Sequence, residues 1–299
     1  MRKRSWLLCL IVCVVLMNFS ISALAEAPKA KTLTKLWEVT GLVNTESVAY
    51  DAKSDVLYVL SKGTDPKTSF VSKISMKGEM LTKDFTTGLT QGRGIILVDN
   101  LLFVTELQAL TKIDVATGKV VKTYPVPEAG VFNDLVVDPA TGDVYVSDTG
   151  TEKNVIYKWN KAKDTFEKWL ESPKLEQPNG LIIEKGQLIS APWGVVTDPA
   201  TWATKVPGHL ATISLDAKEI KSLGGKDTPL GNLDGLQADG EGNYFVGDWW
   251  TGKLYLVNQA AEATLLLTLE QSIADFLYLL DKKLLFIPID SKFVAYKVE

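Results

Sequence analysis

The chain contains very few cysteines and histidines, and this scarcity excludes several kinds of site. Its only two cysteines are Cys9 and Cys13, and its only histidine is His209. Both cysteines fall within an N-terminal segment that we expect to be removed, so disulfides, thiol catalysis and thiolate-bound zinc are excluded for the mature chain. A single histidine cannot supply two imidazole ligands within one chain. Any bound metal would therefore be held mainly by oxygen atoms.

The sequence also lacks an apolar run of the length that crosses a membrane. The longest run, from Trp6 to Met17, has about 12 residues, whereas a membrane-spanning helix needs about 20. The run follows a basic N-terminus and ends in small residues near Ala25, which is the pattern of a cleaved secretory signal. We therefore predict that residues 1–25 are a signal peptide, that residues 26–299 form one domain, and that the mature protein is periplasmic or secreted.

Positive charge is too scarce for a protein that binds nucleic acid. The chain has 32 basic and 36 acidic residues, and removal of three basic residues with the signal peptide leaves 29 against 36, a net charge of −7. An acidic surface disfavours nucleic acids and acidic membranes as partners. We expect a monomer that binds a small-molecule substrate, with no nucleic-acid partner and no membrane contact after signal cleavage.

An internal repeat is the most informative feature that the sequence does contain. Each copy has an anchor residue, a short apolar strand, a tight turn and further alternating strands, and the anchors are spaced by 47, 40, 46, 55 and 40 residues. A repeat of this period with strand patterning is typical of a propeller. The sequence therefore predicts an all-β fold, a six-bladed β-propeller of four-stranded blades. The six anchors are Glu46, Arg93, Asn133, Asn179, Asp234 and Ala274.

The last copy ends at Glu299 after only three strands. A ring of sheets must close, because an unpaired edge exposes backbone donors and acceptors. Segment 35–40 precedes the first anchor and has strand character, so we predict that this N-terminal strand pairs with segment 293–298 and closes the last blade. The insertion at 193–208 in the fourth copy is expected to form a loop over one face.

Four anchors carry side-chain oxygen atoms, and two of these are carboxylates. Because the anchors occupy the same place in each copy, we expect them to converge at one end of the central channel. Carboxylate and amide oxygens suit Ca²⁺ or another hard divalent cation. The shared register favours a metal site, and the alternative is that these residues only cap turns. The four residues are Glu46, Asn133, Asn179 and Asp234.

The segments around these residues resemble the family of senescence marker protein, gluconolactonase and luciferin-regenerating enzyme. The resemblance extends to diisopropyl fluorophosphatases and paraoxonases, and it implies a six-bladed propeller in which the four positions hold a catalytic divalent metal, usually calcium. It also implies that the metal polarises a lactone or ester carbonyl and lowers the pKa of an attacking water. Asp234 would then be both a ligand and the candidate base. The matching segments are Thr45-Glu46-Ser47-Val48, Phe132-Asn133-Asp134, Pro178-Asn179-Gly180-Leu181 and Leu233-Asp234-Gly235-Leu236.

Two positions depart from the pattern of these families. Val131 stands two residues before Asn133, where the sugar lactonases carry an arginine, and this weakens the case for a polyhydroxy-acid lactone. The fluorophosphatases and paraoxonases use a histidine beside the channel, whereas His209 is expected at the start of a third strand, away from the axis. We predict a structural role for His209.

Further residues are candidates for substrate contact. Arg93 lies at an anchor position, where it could bind an anionic group or form a salt bridge to Glu46 or Asp134. A group of tryptophans could form an apolar wall for a ligand or fill gaps between blades. This group comprises Trp193, Trp202, Trp249 and Trp250, of which Trp193 and Trp249 are the substrate-contact candidates.

Acidic residues recur at the ends of second strands, and for these we expect a structural role in which the carboxylates accept backbone hydrogen bonds from the next turn. They are Glu106, Asp148 and Asp248.

Two functional hypotheses follow from the sequence. The first is an exported, calcium-dependent hydrolase of lactones or related esters. The second is a non-enzymatic propeller that binds a partner and carries a structural axial cation, since a fold does not determine a function. A propeller similar to strictosidine synthase, without metal catalysis, fits the fold but not the four oxygen-bearing anchors.

Overall fold

The computed structural model describes residues 26–198, 200–201 and 203–299. The predicted signal peptide and Trp202 lie outside these ranges. The described chain consists of β-strands and two short 3₁₀ helices, Pro173–Leu175 and Leu223–Gly225. None of the helices in this part of the chain is long and apolar enough to span a membrane.

Six four-stranded antiparallel sheets form the blades of a propeller, which confirms the predicted fold class. The first strand, β1 (Leu33–Thr40), belongs to the last blade. Blade 1 comprises β2 (Thr45–Asp51), β3 (Val56–Ser61), β4 (Ser69–Ser75) and β5 (Met80–Leu89). Blade 2 comprises β6 (Ile95–Val98), β7 (Leu101–Glu106), β8 (Ala109–Asp114) and β9 (Val120–Pro125). Blade 3 comprises β10 (Phe132–Val137), β11 (Val144–Asp148), β12 (Val155–Asn160) and β13 (Thr165–Glu171).

The remaining three blades follow the same order, with one insertion. Blade 4 begins with β14 (Gly180–Glu184) and β15 (Gln187–Ala191). A separate two-stranded sheet of β16 (Gly194–Asp198) and β17 (Ala203–Pro207) is inserted before the blade ends with β18 (Ala211–Ser214) and β19 (Ile220–Ser222). Blade 5 comprises β20 (Leu233–Ala238), β21 (Asn243–Asp248), β22 (Lys253–Asn258) and β23 (Ala263–Thr268). Blade 6 comprises β24 (Leu277–Leu279), β25 (Leu284–Ile289), β26 (Lys292–Val298) and β1.

The N-terminal strand closes the ring, as the sequence predicts. β1 pairs antiparallel with β26, from Leu33 opposite Val298 to Thr40 opposite Lys292. The pairing is longer at both ends than the predicted segments 35–40 and 293–298. Thr32 and Glu299 exchange two backbone hydrogen bonds, of 2.8 and 3.0 Å, which extend the pairing beyond Leu33 and Val298. Blade 6 therefore has its fourth strand from the opposite end of the chain.

The insertion at 193–208, expected from the sequence to form a loop over one face, contains a two-stranded β-hairpin. Strands β16 and β17 pair antiparallel with two register shifts. The segment Gly194–Asp198 contains Val195, Val196 and Thr197, which are residue types of high β-propensity. Its proline and glycine content indicates a loop, but these residues lie mainly at the ends of the two strands.

The core lies between neighbouring blades. Every residue of β3 and β11 is buried, and so are five of the six residues of β7, because these second strands are covered by the blades on both sides. The outermost strands are partly exposed, as in β9, where five of six residues face solvent. Large aromatic side chains fill the layers between blades, and Phe132, for example, contacts Tyr157 and Phe166.

The innermost strands form a continuous ring around the central channel. Each contacts the innermost strand of the next blade, and β24 of blade 6 contacts β2 of blade 1. The glycine that follows several anchors permits this approach. A Cβ atom on Gly180 would lie 2.0 Å from the backbone oxygen of Asp234, and one on Gly94 would lie 2.5 Å from that of Asn133. The ring therefore brings the anchors of neighbouring blades close together.

Candidate functional site

Four of the six anchors line one cavity at an end of the central channel. These four are Glu46, Arg93, Asn133 and Asp234, and the cavity has a volume of about 200 Å³. Glu46, Asn133 and Asp234 lie near the starts of β2, β10 and β20, where the innermost strands of their blades begin. Convergence of these residues follows from their equivalent places in the repeat.

A β-bulge lies at three of the candidate metal ligands. The register between the first and second strands shifts around Glu46 in blade 1, around Asn133 in blade 3 and around Asp234 in blade 5. A bulge adds one residue to a strand and re-aims its side chains, and bulges are common beside functional sites. The repeated bulges explain why these polar side chains turn towards the cavity rather than alternating between the blade faces.

Glu46 is paired with two cations at the cavity. Its Oε1 atom lies 2.8 Å from the Lys62 ammonium nitrogen and 3.4 Å from Nη1 of Arg93. The predicted salt bridge between Arg93 and Glu46 is therefore present, and the same arginine lines the cavity. The two roles considered for Arg93 are compatible in this geometry.

Asp234 is a buried carboxyl group beside Glu46. Burial raises the pKa of Asp234 well above its usual range, and the negative charge of Glu46 raises this pKa further. The charges of Arg93 and Lys62 oppose the increase. Two carboxylates in one buried site repel each other, and a cation between them would relieve that repulsion.

Asn179 lies beside the cavity but is not part of its lining. Its side chain is fully buried, and its Nδ2 donates a hydrogen bond of 3.1 Å to the backbone oxygen of Leu233, the residue before Asp234. Its Oδ1 has no hydrogen-bond partner among the described residues. A buried amide oxygen without a partner costs free energy. Asn179 thus has an oxygen lone pair that a cation could satisfy.

The backbone before Asn179 is held in an uncommon conformation. Glu176 and Gln177 both have positive φ angles, 51° and 59°. Such conformations persist where the surroundings fix them, and they are often found at functional sites. Here Gln177 is held by hydrogen bonds that join it to Thr149 and Val196, and Thr149 also donates to the oxygen of Pro178. Neighbouring segments therefore position Asn179.

The donor set is compatible with a hard cation but not rich in charge. It contains two carboxylates and two amides, and across the described ranges there is no group of three or more His, Cys, Asp or Glu side chains that could hold a metal ion. Carboxylate and amide oxygens are hard ligands of the kind that calcium takes, with water completing six to eight positions. A metal here would rely on amide oxygens and water as well as on Glu46 and Asp234.

Residues that follow second strands form the walls of the cavity. Lys62 follows β3, Thr149 follows β11, and Trp249 follows β21, while Trp193 comes two residues after β15. Sequence reasoning missed Lys62 and Thr149. Their shared place in the repeat, directly after a second strand, is the signal that could have identified them.

The tryptophans occupy one side of this cavity. Trp193 and Trp249 have ring centroids 5.8 Å apart, and Trp250 lies 6.0 Å from Trp249. All three line the cavity together with Val131, and Trp250 is 49% exposed at the mouth. Contact of Trp193 and Trp249 with a ligand stays a prediction. Trp202 lies outside the described residues.

His209 does not line this cavity, and its structural role stays a prediction. It precedes β18 and lines a different cavity, where its ring nitrogens lie 3.4 Å from carboxylate oxygens of Glu176 and Asp227.

The strand-end acidic residues are also structural. Asp148 accepts hydrogen bonds from the backbone of residues 130, 131 and 150, and Asp248 accepts them from residues 232, 250 and 251. Glu106 accepts one hydrogen bond from the backbone of Thr90 and one from the side-chain hydroxyl of Thr111.

The opposite mouth of the channel is an apolar funnel with two carboxyl groups at its base. It has a volume of about 440 Å³ and is lined by the innermost strands, including Asp134 and Asp275. Burial raises the pKa of Asp275 to about 7. Asp134 accepts hydrogen bonds of 2.6 Å from the backbone of Leu135 and Leu181, so it joins blade 3 to blade 4. Asp275 accepts a hydrogen bond of 2.6 Å from the side chain of Ser47, so it joins blade 6 to blade 1.

Solved structures with the same fold as this chain are known, although sequence comparisons find no relative. No family model matches the chain, and no curated protein sequence matches it either. A gluconolactonase from Xanthomonas campestris superposes with a TM-score of 0.68 at 14% identity, over 91% of this chain and 96% of that chain. A protein provisionally named a gluconolactonase superposes with a TM-score of 0.65 at 14% identity, over 91% and 94%. Streptogramin B lyase gives 0.63 at 9% identity, over 92% and 100%. The predicted resemblance to gluconolactonases is thus supported by a shared six-bladed propeller.

Proposed function

We propose that this protein is a divalent-metal-dependent hydrolase of lactones or related esters. Ca²⁺ is the expected ion, with Glu46, Asn133, Asn179 and Asp234 as its ligands. The observation that carries the proposal is the Oδ1 atom of Asn179, which is buried without a hydrogen-bond partner among the described residues. The Nδ2 atom of the same side chain donates to the backbone oxygen of Leu233, the residue before Asp234. The fold shared with two proteins described as gluconolactonases supports the choice of reaction.

Each residue has a separate task in this proposal. A bound divalent ion would polarise the ester carbonyl and make a coordinated water more acidic. Glu46, Asn133 and Asn179 fix the geometry and transfer no proton. The tryptophans next to the cavity exclude bulk water, which strengthens electrostatic interactions inside it.

Asp234 moves the proton. Water attacks the carbonyl carbon, and Asp234 accepts a proton from that water. The acyl carbon–oxygen bond then breaks, and the departing oxygen recovers the proton, so a lactone and one water give one hydroxy acid. Binding to a dication makes a carboxylate a weaker base, so the ligand and base roles of Asp234 oppose each other.

Hydrolysis of a substrate panel tests this function. The panel contains simple lactones, sugar lactones, aryl esters and phosphotriesters, each assayed with calcium and with a chelator. We expect calcium-dependent hydrolysis that Asp234→Ala lowers by about 10² to 10⁴ in kcat/KM, the usual contribution of a general base. Asn179→Ala should weaken calcium binding, measured by calorimetry. The exposed residues Asp216 and Asn100 provide matched controls as Asp216→Ala and Asn100→Ala.

Two results would contradict the proposal. One is hydrolysis that a chelator leaves unchanged, and the other is no hydrolysis of any compound in the panel. If calcium raises the melting temperature while the whole panel stays unreacted, the chain is a binding propeller with a structural cation.

We also propose that the chain is exported. The basic N-terminus, the apolar run and the small residues near Ala25 support cleavage after that residue. Expression of the full chain in a bacterium, followed by mass spectrometry of the exported fraction, should give an N-terminus at Glu26. An unprocessed chain in the cytoplasmic fraction would contradict it.

A further inference from the structure

The cavity at the end of the central channel that contains Glu46 and Asp234 is called the axial cavity below. Two acidic and two basic side chains line it. Glu46 and Asp234 contribute carboxyl groups, and Lys62 and Arg93 contribute cations. Both cations contact the same oxygen, Oε1 of Glu46. If a divalent cation were held by the carboxylates, the cations of this wall would no longer be balanced, and the cavity would attract an anion.

Both cations keep donors that this contact does not use. A lysine ammonium has three donors and an arginine guanidinium has five. Lys62 and Arg93 each make one side-chain hydrogen bond, to Glu46, and Nε of Arg93 is buried without a hydrogen-bond partner within the described ranges. Their side chains are 32% and 21% exposed, so they are accessible from the cavity mouth. A planar guanidinium beside an ammonium is well suited to a carboxylate.

The other side of the cavity is aromatic rather than hydrophilic. Trp193 and Trp249 are in contact, and Trp250 extends the aromatic surface to the mouth. Val131 adds an aliphatic group, and the uncharged polar side chains on the lining are those of Asn133 and Thr149. On this side of the cavity a polyhydroxylated ligand would meet Asn133 and Thr149 as its uncharged hydrogen-bond partners, whereas a planar ring would stack on an indole.

The size of the cavity limits the ligand to one ring. Its volume of about 200 Å³ lies below the roughly 300–1,000 Å³ of typical ligand pockets. A fused polycyclic compound would protrude into solvent.

We propose that the axial cavity selects a ligand that carries both a carboxylate and a single planar ring, with the carboxylate on Arg93 and Lys62 and the ring on Trp249 and Trp193. The part of this inference that concerns the substrate rests on the proposed function. If the protein is a hydrolase, its substrate is an ester or lactone that contains an aromatic ring and a free carboxylate. Ligand binding itself is independent of hydrolysis.

Four small probes separate the two recognition elements. They are 3-phenylpropionate, which has both features, 3-phenylpropionamide, which lacks the charge, propionate, which lacks the ring, and gluconate, which is an anionic polyol. Binding is measured by calorimetry and by quenching of tryptophan fluorescence, with and without calcium. We expect 3-phenylpropionate to bind at least tenfold more tightly than the other three, and more tightly with calcium than without it.

Substitutions assign each element to its residues. Arg93→Ala and Lys62→Ala should each weaken binding of 3-phenylpropionate about tenfold and leave 3-phenylpropionamide unchanged. Trp249→Ala should weaken both ring-containing probes. Lys122→Ala and Trp169→Phe, which change residues outside the cavity, serve as controls, and melting curves identify any variant that fails to fold.

The outcomes distinguish this inference from the proposed function. If 3-phenylpropionate binds no better than propionate or gluconate to the folded wild-type protein, the inference is wrong. It is also wrong if lactones are hydrolysed at equal rates regardless of ring and charge, although the hydrolase function would then stand. If the probes bind as expected while the hydrolysis panel stays unreacted, the proposed function fails and the binding inference stands.

Discussion

Lys62 is the residue whose position has the most direct consequence for metal binding. Its ammonium nitrogen lies 2.8 Å from the Glu46 carboxylate, so it occupies part of the space in which a cation would meet that oxygen. A tethered positive charge competes with a free one for the same ligand. Lys62 would therefore affect calcium binding through its charge, although it is not one of the four proposed metal ligands.

We expect Lys62→Met to increase the calcium affinity of the protein, by about tenfold or one unit of log K, since it removes a charge that opposes the ion. Met keeps the length and the apolar stem of the side chain. Calorimetric titration of calcium into wild type and variant provides the measurement. Lys161→Met, at an exposed pair with Asp99, is the control. Equal or weaker calcium binding by Lys62→Met would argue against Glu46 as a ligand.

Asp164 is a second residue with a measurable effect, in this case on stability. Hydrogen bonds from Lys112, Lys122 and Tyr124 hold the pKa of the Asp164 carboxyl well below its usual range. Both lysine nitrogens lie 2.5 Å from its oxygens, and the Lys112 nitrogen also lies 4.1 Å from the ring centroid of Trp159. The cluster joins blades 2 and 3.

Asp164→Asn should lower the free energy of unfolding at pH 7 by about 1 kcal/mol or less, because the carboxylate is partly exposed and screened by solvent. A lowered folded-state pKa stabilises the protein above the unfolded value of about 3.9 and loses this effect as the pH falls. The difference between wild type and variant should therefore shrink between pH 5 and pH 2. Asn tolerates the positive φ of 53° at this position. Urea unfolding across this range provides the test, and a constant difference would contradict it.

The innermost strands are the elements that determine the geometry of the site. Their bulges turn Glu46, Asn133 and Asp234 towards the axis, and the glycine after an anchor allows the next strand to approach. Among the glycines that follow an anchor, Gly180 would make the closest contact, since a Cβ there would lie 2.0 Å from the backbone oxygen of Asp234. Backbone atoms cannot move aside as a flexible side chain can.

Gly180→Ala should therefore displace blade 5 from blade 4. Overpacking of this kind costs about 1–3 kcal/mol, and here it should also weaken calcium binding because the strand that moves carries Asp234. Gly247→Ala is the matched control, since its Cβ would meet side-chain atoms at 3.0 Å or more. Unfolding and calcium titration of both variants give the comparison. If Gly180→Ala destabilises the protein but leaves its calcium affinity unchanged, the close approach at Gly180 does not position the metal ligands.

Several elements could be predicted from sequence, and others could not, for identifiable reasons. The anchors could be predicted because the repeat places similar residues at regular spacing. The pairing of β1 with β26 could be predicted because the last copy of the repeat lacks a fourth strand, and this prediction is confirmed. The hairpin of β16 and β17 belongs to no repeat, and its glycines and prolines obscure two short strands. Lys62 belongs to no sequence motif. Its contact with Glu46 depends on the folded ring, which brings the end of β3 close to the start of β2.

Closure of the ring concerns the whole molecule. β1 supplies an outer strand to blade 6, and Thr45 at the start of β2 donates to the backbone oxygens of Asp290 and Lys292. Without β1, the backbone groups of β26 would form an exposed edge. Such edges pair with other chains.

Deletion of residues 26–40 should therefore lower the melting temperature and produce dimers or aggregates. Deletion of residues 26–30, which lie before β1, is the control and should have a much smaller effect. Differential scanning calorimetry and size-exclusion chromatography with light scattering provide the measurements. A stable monomer after the longer deletion would show that pairing with β1 is dispensable.

The hydrogen bonds between Thr32 and Glu299 also mean that the segment just before β1 lies beside the residue that follows β26. A short peptide linker could join them without disturbing a strand, and the chain could then be opened elsewhere, for instance at Gly186 in the exposed turn between β14 and β15. Such a circular permutant would hold blade 6 together by a covalent connection and would leave the axial cavity unchanged. The position of the chain termini could thus be moved to another blade while the arrangement of the six blades in the ring stays the same.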